Sequence, residues 1–66
     1  MGNNIKLYRT KQNMTLIQLS KKCGLSAGYL CHLEKGSREN PSRKSMESIS
    51  NALNENIYHV FYLVLW

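Results

Sequence analysis

Cysteine, proline, glycine and long apolar runs are all scarce in this chain, and each scarcity removes a class of protein. The longest apolar stretch, residues 57–66, holds nine apolar residues and one histidine, whereas crossing a bilayer takes about 20. A transmembrane helix and a membrane partner are therefore not expected. Two cysteines, Cys23 and Cys31, make one bridge at most, and the opening MGNNIKLYRT has no apolar run of the secretory kind. The expected compartment is the reducing cytoplasm, with both thiols free. Gly2 lacks the Ser or Thr that a myristoylation site wants four residues later, since Lys6 stands there. Asn13-Met14-Thr15 fits a glycosylation acceptor, but without a signal peptide the match reads as coincidence. Cys23, Cys31, His32 and His59 lack the paired spacing of a zinc site. A chain of 66 residues also leaves little room for a catalytic pocket. Neither an enzyme, nor a metal, nor a cofactor is expected.

What is present is positive charge and helix punctuation. Nine Lys and Arg stand against four acids, a formal charge of +5, which favours a polyanionic partner. Every charged Lys, Arg or Glu lies between Lys6 and Glu55. There are no repeats, low-complexity tracts or glycine-rich linkers, so the chain reads as one domain over residues 1–66. In the first segment Ile5 and Tyr8 share a face, and the run breaks near Gln12-Asn13. Thr15-Leu16-Ile17-Gln18 reads as a capping box that opens a second helix. Leu16, Leu19 and Cys23 follow at helical spacing, and Gly24 ends it. Ser26 caps a third helix with Leu30 and Leu33 facing inward and Gly36 as its stop. Only Leu25 separates the Gly24 stop from the Ser26 cap, so the two helices must cross steeply, in helix-turn-helix fashion. A fourth helix is expected to take Asn40 as its cap and Pro41 at its first position, with Met46, Ile49 and Leu53 as its buried stripe. Asn54-Glu55-Asn56 breaks that pattern. Ile57, Val60, Phe61 and Val64 fit a fifth helix, although their β-branched and aromatic character also fits a strand. The fold class is thus all-α, a compact bundle of about five short helices.

The ordered set of Arg9, Leu19, Gly24, Leu30, Glu34 and Asn40-Pro41-Ser42 resembles the Cro/Xre (lambda-repressor-like) helix-turn-helix family over about residues 5–61. Within that family it is most similar to the DNA-binding domains of SinR-type repressors. The resemblance implies a transcriptional regulator, a repressor, that binds double-stranded DNA as a homodimer. It makes the third helix the reader of the major groove, where each base pair shows a distinct pattern. Its base readers would be Ala27, Gly28, Tyr29 and His32. Tyr29 can equally pack against the neighbouring helix, and His32 can be an ordinary surface histidine. Phosphate contacts fall to the helix starts and the basic cluster, namely Thr15, Leu16, Lys35, Ser37, Arg38, Asn40, Ser42 and Arg43. Leu16 stands where the family often has Gln, so only the backbone is left to make that contact. Arg9 and Glu34 match a pair that closes internally in the family. The apolar tail, residues 57–66, both closes the core and supplies the dimer interface through Tyr62, Leu63, Leu65 and Trp66; Trp66 folding back as a lid is the simpler alternative. No small-molecule ligand is expected. A second function remains open at this point: an interaction module that sequesters a related regulator through the tail.

Overall fold

The structure, a computed structural model, describes residues 3–36 and 41–62. Five helices follow one another: α1 (Ile5–Lys11), α2 (Leu16–Cys23), α3 (Ala27–Glu34), α4 (Arg43–Ala52) and α5 (Tyr58–Tyr62), the last wound as a π-helix. Among the described residues there is no strand, and none of these helices is long and apolar enough to cross a membrane.

Side chains and glycine or asparagine turns set the helix ends. Thr15 accepts the Gln18 N–H while the Gln18 amide oxygen accepts the Thr15 N–H, at 3.1 and 2.8 Å. That reciprocal box satisfies two donors that an isolated helix start leaves open. Ser26 caps α3 by accepting the Tyr29 N–H. Between them Gly24 sits at φ 78°, a left-handed conformation glycine takes at little cost. The Ser20 hydroxyl donates to the Leu25 carbonyl, which pins the short connection to the helix before it.

The starts and stops of α1 and α4 differ in part from expectation. The cap of α4 is Ser42, which accepts the Ser45 N–H at 3.1 Å, not Asn40. Pro41 therefore precedes the helix instead of opening it. The physical reason is local: Ser42 is extended (φ −66°, ψ 160°), as a cap must be, and its hydroxyl reaches the third helical N–H. Asn40 itself lies outside the described residues. The breaks at Asn13 and Asn54 are more than interruptions. Both asparagines are left-handed, at φ 54° and 57°. After α1, Asn13 N–H returns to Thr10 and Met14 N–H to Arg9. After α4, Asn54 N–H returns to Asn51 and Glu55 N–H to Ser50. Each pair is the 5→2 and 6→1 pattern of a Schellman stop, with asparagine in the usual place of glycine.

Every helix sends at least one side chain to the centre. Ile5, Leu19, Leu30, Ile49, Leu53 and Val60 are fully buried, and Met14, Leu33, Met46 and Phe61 complete the core. Truncating such a leucine to alanine typically costs about 2–5 kcal/mol, a large share of what so small a domain has. The Ser50 hydroxyl is buried with these groups and finds no partner among the described residues. The tail is helical from Ile57 to Tyr62, not extended. Val60 and Phe61 point inward, and Ile57 packs half-buried against them. Val64 lies outside the described residues.

Candidate nucleic-acid interface

The α2–turn–α3 unit presents one helix face to the core and the other to solvent. Leu30 and Leu33 hold α3 inward. Gly28, His32 and Lys35 are exposed on its outer side, and Ala27, Tyr29 and Cys31 are half-buried. Tyr29 packs against the core cluster, so of its two expected roles the packing one is occupied in the structure. Nothing stands within 4 Å of where a side chain at Gly28 would begin. A side chain there would start in open space.

Helix starts contribute donors rather than side chains. With Gln18 N–H taken by Thr15, the N–H groups of Leu16 and Ile17 have no acceptor inside α2. The same holds for Ala27 and Gly28 in α3 and for Arg43 and Lys44 in α4, whose caps take the third N–H. Leu16 is half-buried and its side chain packs on the core, so at this position the backbone alone can meet a phosphate. Thr15, Ser42 and Arg43 are exposed. Arg43 Nε donates to Glu47 on its own helix at 3.0 Å. That pair is open to water, with side chains 70% and 54% exposed, and such pairs contribute little. Ser37, Arg38 and Asn40 of the expected phosphate set, and Leu63, Leu65 and Trp66 of the expected dimer set, lie outside the described residues. Tyr62 is exposed and its ring leans on Tyr58, centroids 5.5 Å apart.

Arg9 and Glu34 meet directly. Arg9 Nε and Nη2 donate to the two Glu34 oxygens at 2.7 and 3.1 Å, and Nη1 donates to the Met14 carbonyl at 2.7 Å. The Glu34 hydrogen bond holds the guanidinium more firmly charged than usual, against the opposing effect of burial. The side chains are only 12% and 9% exposed. The pair therefore fastens the last turn of α3 to α1 and to the turn before α2.

Three residues of the frame make long-range contacts absent from the sequence-based expectations. Gln12 donates its amide to the Leu53 carbonyl at 2.6 Å. Asn3 donates to the Leu33 carbonyl, and Asn4 to the carbonyls of His59 and Val60. No periodicity could have revealed them, because the acceptors are backbone groups far along the chain. Net positive charge is left facing solvent: among the described residues Glu34, Glu47 and Glu55 are each engaged by Arg9, Arg43 or His59, while Lys35 and Lys44 are exposed and form no such pair.

A helix-turn-helix family model matches residues 5–59, and the chain belongs to that family, in its Cro/Xre branch. It carries the helix-turn-helix DNA-binding domain of transcriptional regulators. It is similar to the HTH-type transcriptional regulator SinR of Bacillus subtilis, 31% identical over 58 residues, which are 88% of this chain and 52% of SinR. It is also similar to the immunity repressor protein of Bacillus phage phi105, 38% identical over 53 residues, 80% of this chain and 36% of that one. The chain thus spans about half the length of SinR and less of the phage protein. Among solved structures, the N-terminal DNA binding domain of SinR from Bacillus subtilis superposes with a TM-score of 0.77 at 31% identity, covering 83% of this chain and 80% of that one.

Proposed function

We propose that this protein binds double-stranded DNA sequence-specifically as a homodimer in the cytoplasm and represses transcription. The observation that carries the reading is the outer face of α3, where Gly28, His32 and Lys35 stand exposed on a helix anchored from behind by Leu30, Leu33 and the Arg9–Glu34 pair. Ala27, Gly28, Tyr29 and His32 then face base edges. Thr15, Leu16, Lys35, Ser37, Arg38, Asn40, Ser42 and Arg43 meet phosphates through side chains or helix-start N–H groups. Tyr62, Leu63, Leu65 and Trp66 join the two copies, which sets the recognition helices about 34 Å apart for successive major grooves.

Selection of bound duplexes from a random pool, followed by salt titration on the winner, tests this. A palindromic winner is expected. Replacing Lys35 by Ala is expected to weaken binding to all sequences and to lower the slope of log K against log salt by about 0.9. An unchanged slope removes Lys35 from the phosphate set, and a pool with no winner removes the reading itself. Sedimentation of the free chain reads the dimer. A monomer that nevertheless co-sediments with a related regulator through the tail would favour the sequestering module instead.

A further inference from the structure

Besides the Arg9–Glu34 pair, a second fastening holds the far end of α3. There, Asn3 Nδ2 donates to the Leu33 carbonyl at 2.7 Å. Leu33 lies in the last turn of α3, and its carbonyl accepts the Gly36 N–H at 3.0 Å as well as the Asn3 amide. The same Asn3 side chain accepts the Ile5 N–H through Oδ1 at 3.1 Å, taking one of the free donors at the start of α1. The next residue, Asn4, is 4% exposed. Its backbone N–H donates to the Val60 carbonyl at 2.7 Å and its Nδ2 to the His59 carbonyl at 2.8 Å. Two adjacent residues therefore hold the start of α1, the end of α3 and the middle of α5.

We propose that Asn3 and Asn4 are positioning residues for the recognition helix, a clasp that fixes the end of α3 against α5 and so couples the C-terminal helix to DNA reading. This rests on the reading that α3 enters the groove. The two Cα atoms are about 3.8 Å apart across one planar peptide. A shift of the α5 backbone that moves Asn4 is passed to the Leu33 carbonyl with little slack. Hydrogen bonds in such shielded places are stiffer than those in water. Base contacts depend on the placement of α3 far more than phosphate contacts do, because phosphates carry no sequence information. The clasp should therefore act on specificity and leave sequence-independent affinity alone.

Asn3→Asp separates this role from ordinary stability. The carboxylate still accepts the Ile5 N–H and suits the positive end of α1, but it has no donor for the Leu33 carbonyl. The melting temperature is expected to fall by no more than about 4–8 °C, what one net hydrogen bond is worth in a domain of this length. Affinity for the selected duplex is expected to fall about five-fold further than affinity for a scrambled duplex, which loses only what the added negative charge takes from both. Coupling is reciprocal, so binding the selected duplex should slow hydrogen exchange of the Asn4 N–H in the parent and not in the variant. Should Asn3→Asp not fold, Asn3→Ser keeps a capping oxygen on a side chain too short for the carbonyl. A variant that loses affinity for both duplexes equally, or for neither, overturns the clasp. A parent that does not distinguish the two duplexes overturns the DNA reading, and the clasp with it.

Discussion

The two ends of the bundle are built on different principles. From Thr15 to Ser26 every helix end is closed by a residue within five positions: the Thr15–Gln18 box, the Ser20 hydroxyl on Leu25, the left-handed Gly24, the Ser26 cap. From Ile57 to Tyr62 only the start is local, where the Asn56 side chain accepts the Tyr58 N–H and its carbonyl accepts from His59 and Val60. What holds α5 in place is remote. Val60 and Phe61 are seated in the core, and Asn4 reaches across from the other end of the chain. The reading half is specified by its own segment, and the C-terminal helix by the rest of the molecule. An element whose place is set from outside moves only together with the residues that hold it, here the core around Val60 and Phe61 and the Asn4 bonds.

The largest expected effect tests whether the reading half is as self-contained as its caps suggest. Glu34 lies in α3, but its partner Arg9 lies in α1. Glu34→Ala strands a guanidinium that is 12% exposed, and breaking such a pair from one side costs about 3–5 kcal/mol. Total stability in a domain of this size is about 3–5 kcal/mol, so circular dichroism at 25 °C should show an unfolded chain. A folded variant with a sharp melt would mean that caps and core alone hold α3, and the contrast with α5 would be stronger than drawn.

A smaller effect bears on the caps. Thr15→Ala removes the oxygen that takes the Gln18 N–H and is expected to cost about 1 kcal/mol. That is a fall of about 4–8 °C in melting temperature for a domain of this length. The loss should appear as faster hydrogen exchange in the first turn of α2, with the amides near Val60 unaffected beyond the global change. Equal local loosening at both places would erase the distinction between the two halves.

The same distinction explains what could be read from sequence. Thr15, Gly24 and Ser26 declared themselves because a cap is a short-range pattern, and Leu19, Leu30, Ile49 and Leu53 because a buried helix face repeats. The pattern puts the α4 cap at Asn40, but the cap is Ser42, a difference of two residues that only the path of the chain decides. Asn13 and Asn54 were visible as breaks but not as Schellman stops, since asparagine is a less common occupant of that position than glycine. Met14 belongs to no periodic run and is buried by a turn. Asn3 and Asn4 look like a polar leader until their distant carbonyls are known. At the candidate site, Arg9 and Glu34 came from family resemblance rather than spacing, being 25 residues apart. The half-burial of Tyr29 against the core cluster belongs to the packed bundle, and no linear pattern chooses it over the base-reading role.

The smallest effect concerns Glu55, at the approach to the C-terminal helix. His59 Nδ1 lies 2.9 Å from Glu55 Oε1, and the Asn56 N–H donates to the same carboxylate oxygen. The hydrogen bond from His59, then that from Asn56, hold the Glu55 carboxyl below its ordinary value of 4.5. A depressed carboxyl stabilises the fold above its unfolded-state pKa, and that contribution is lost as pH falls through the lower folded value. Glu55 should therefore add nothing to the pH dependence of stability between pH 7 and 5, and should begin to withdraw its share only below about 4.5. The group is open to water, so the share is small and salt-sensitive. Acid titration of the melting temperature should show a slightly flatter acid limb in Glu55→Gln than in the parent, most visibly at low salt. Because the pair lies within one turn of α5 and its approach, an effect of this size leaves the Asn4 bonds and the core as what holds the helix. An acid limb dominated by Glu55 would reverse that assignment, making α5 a locally specified helix after all.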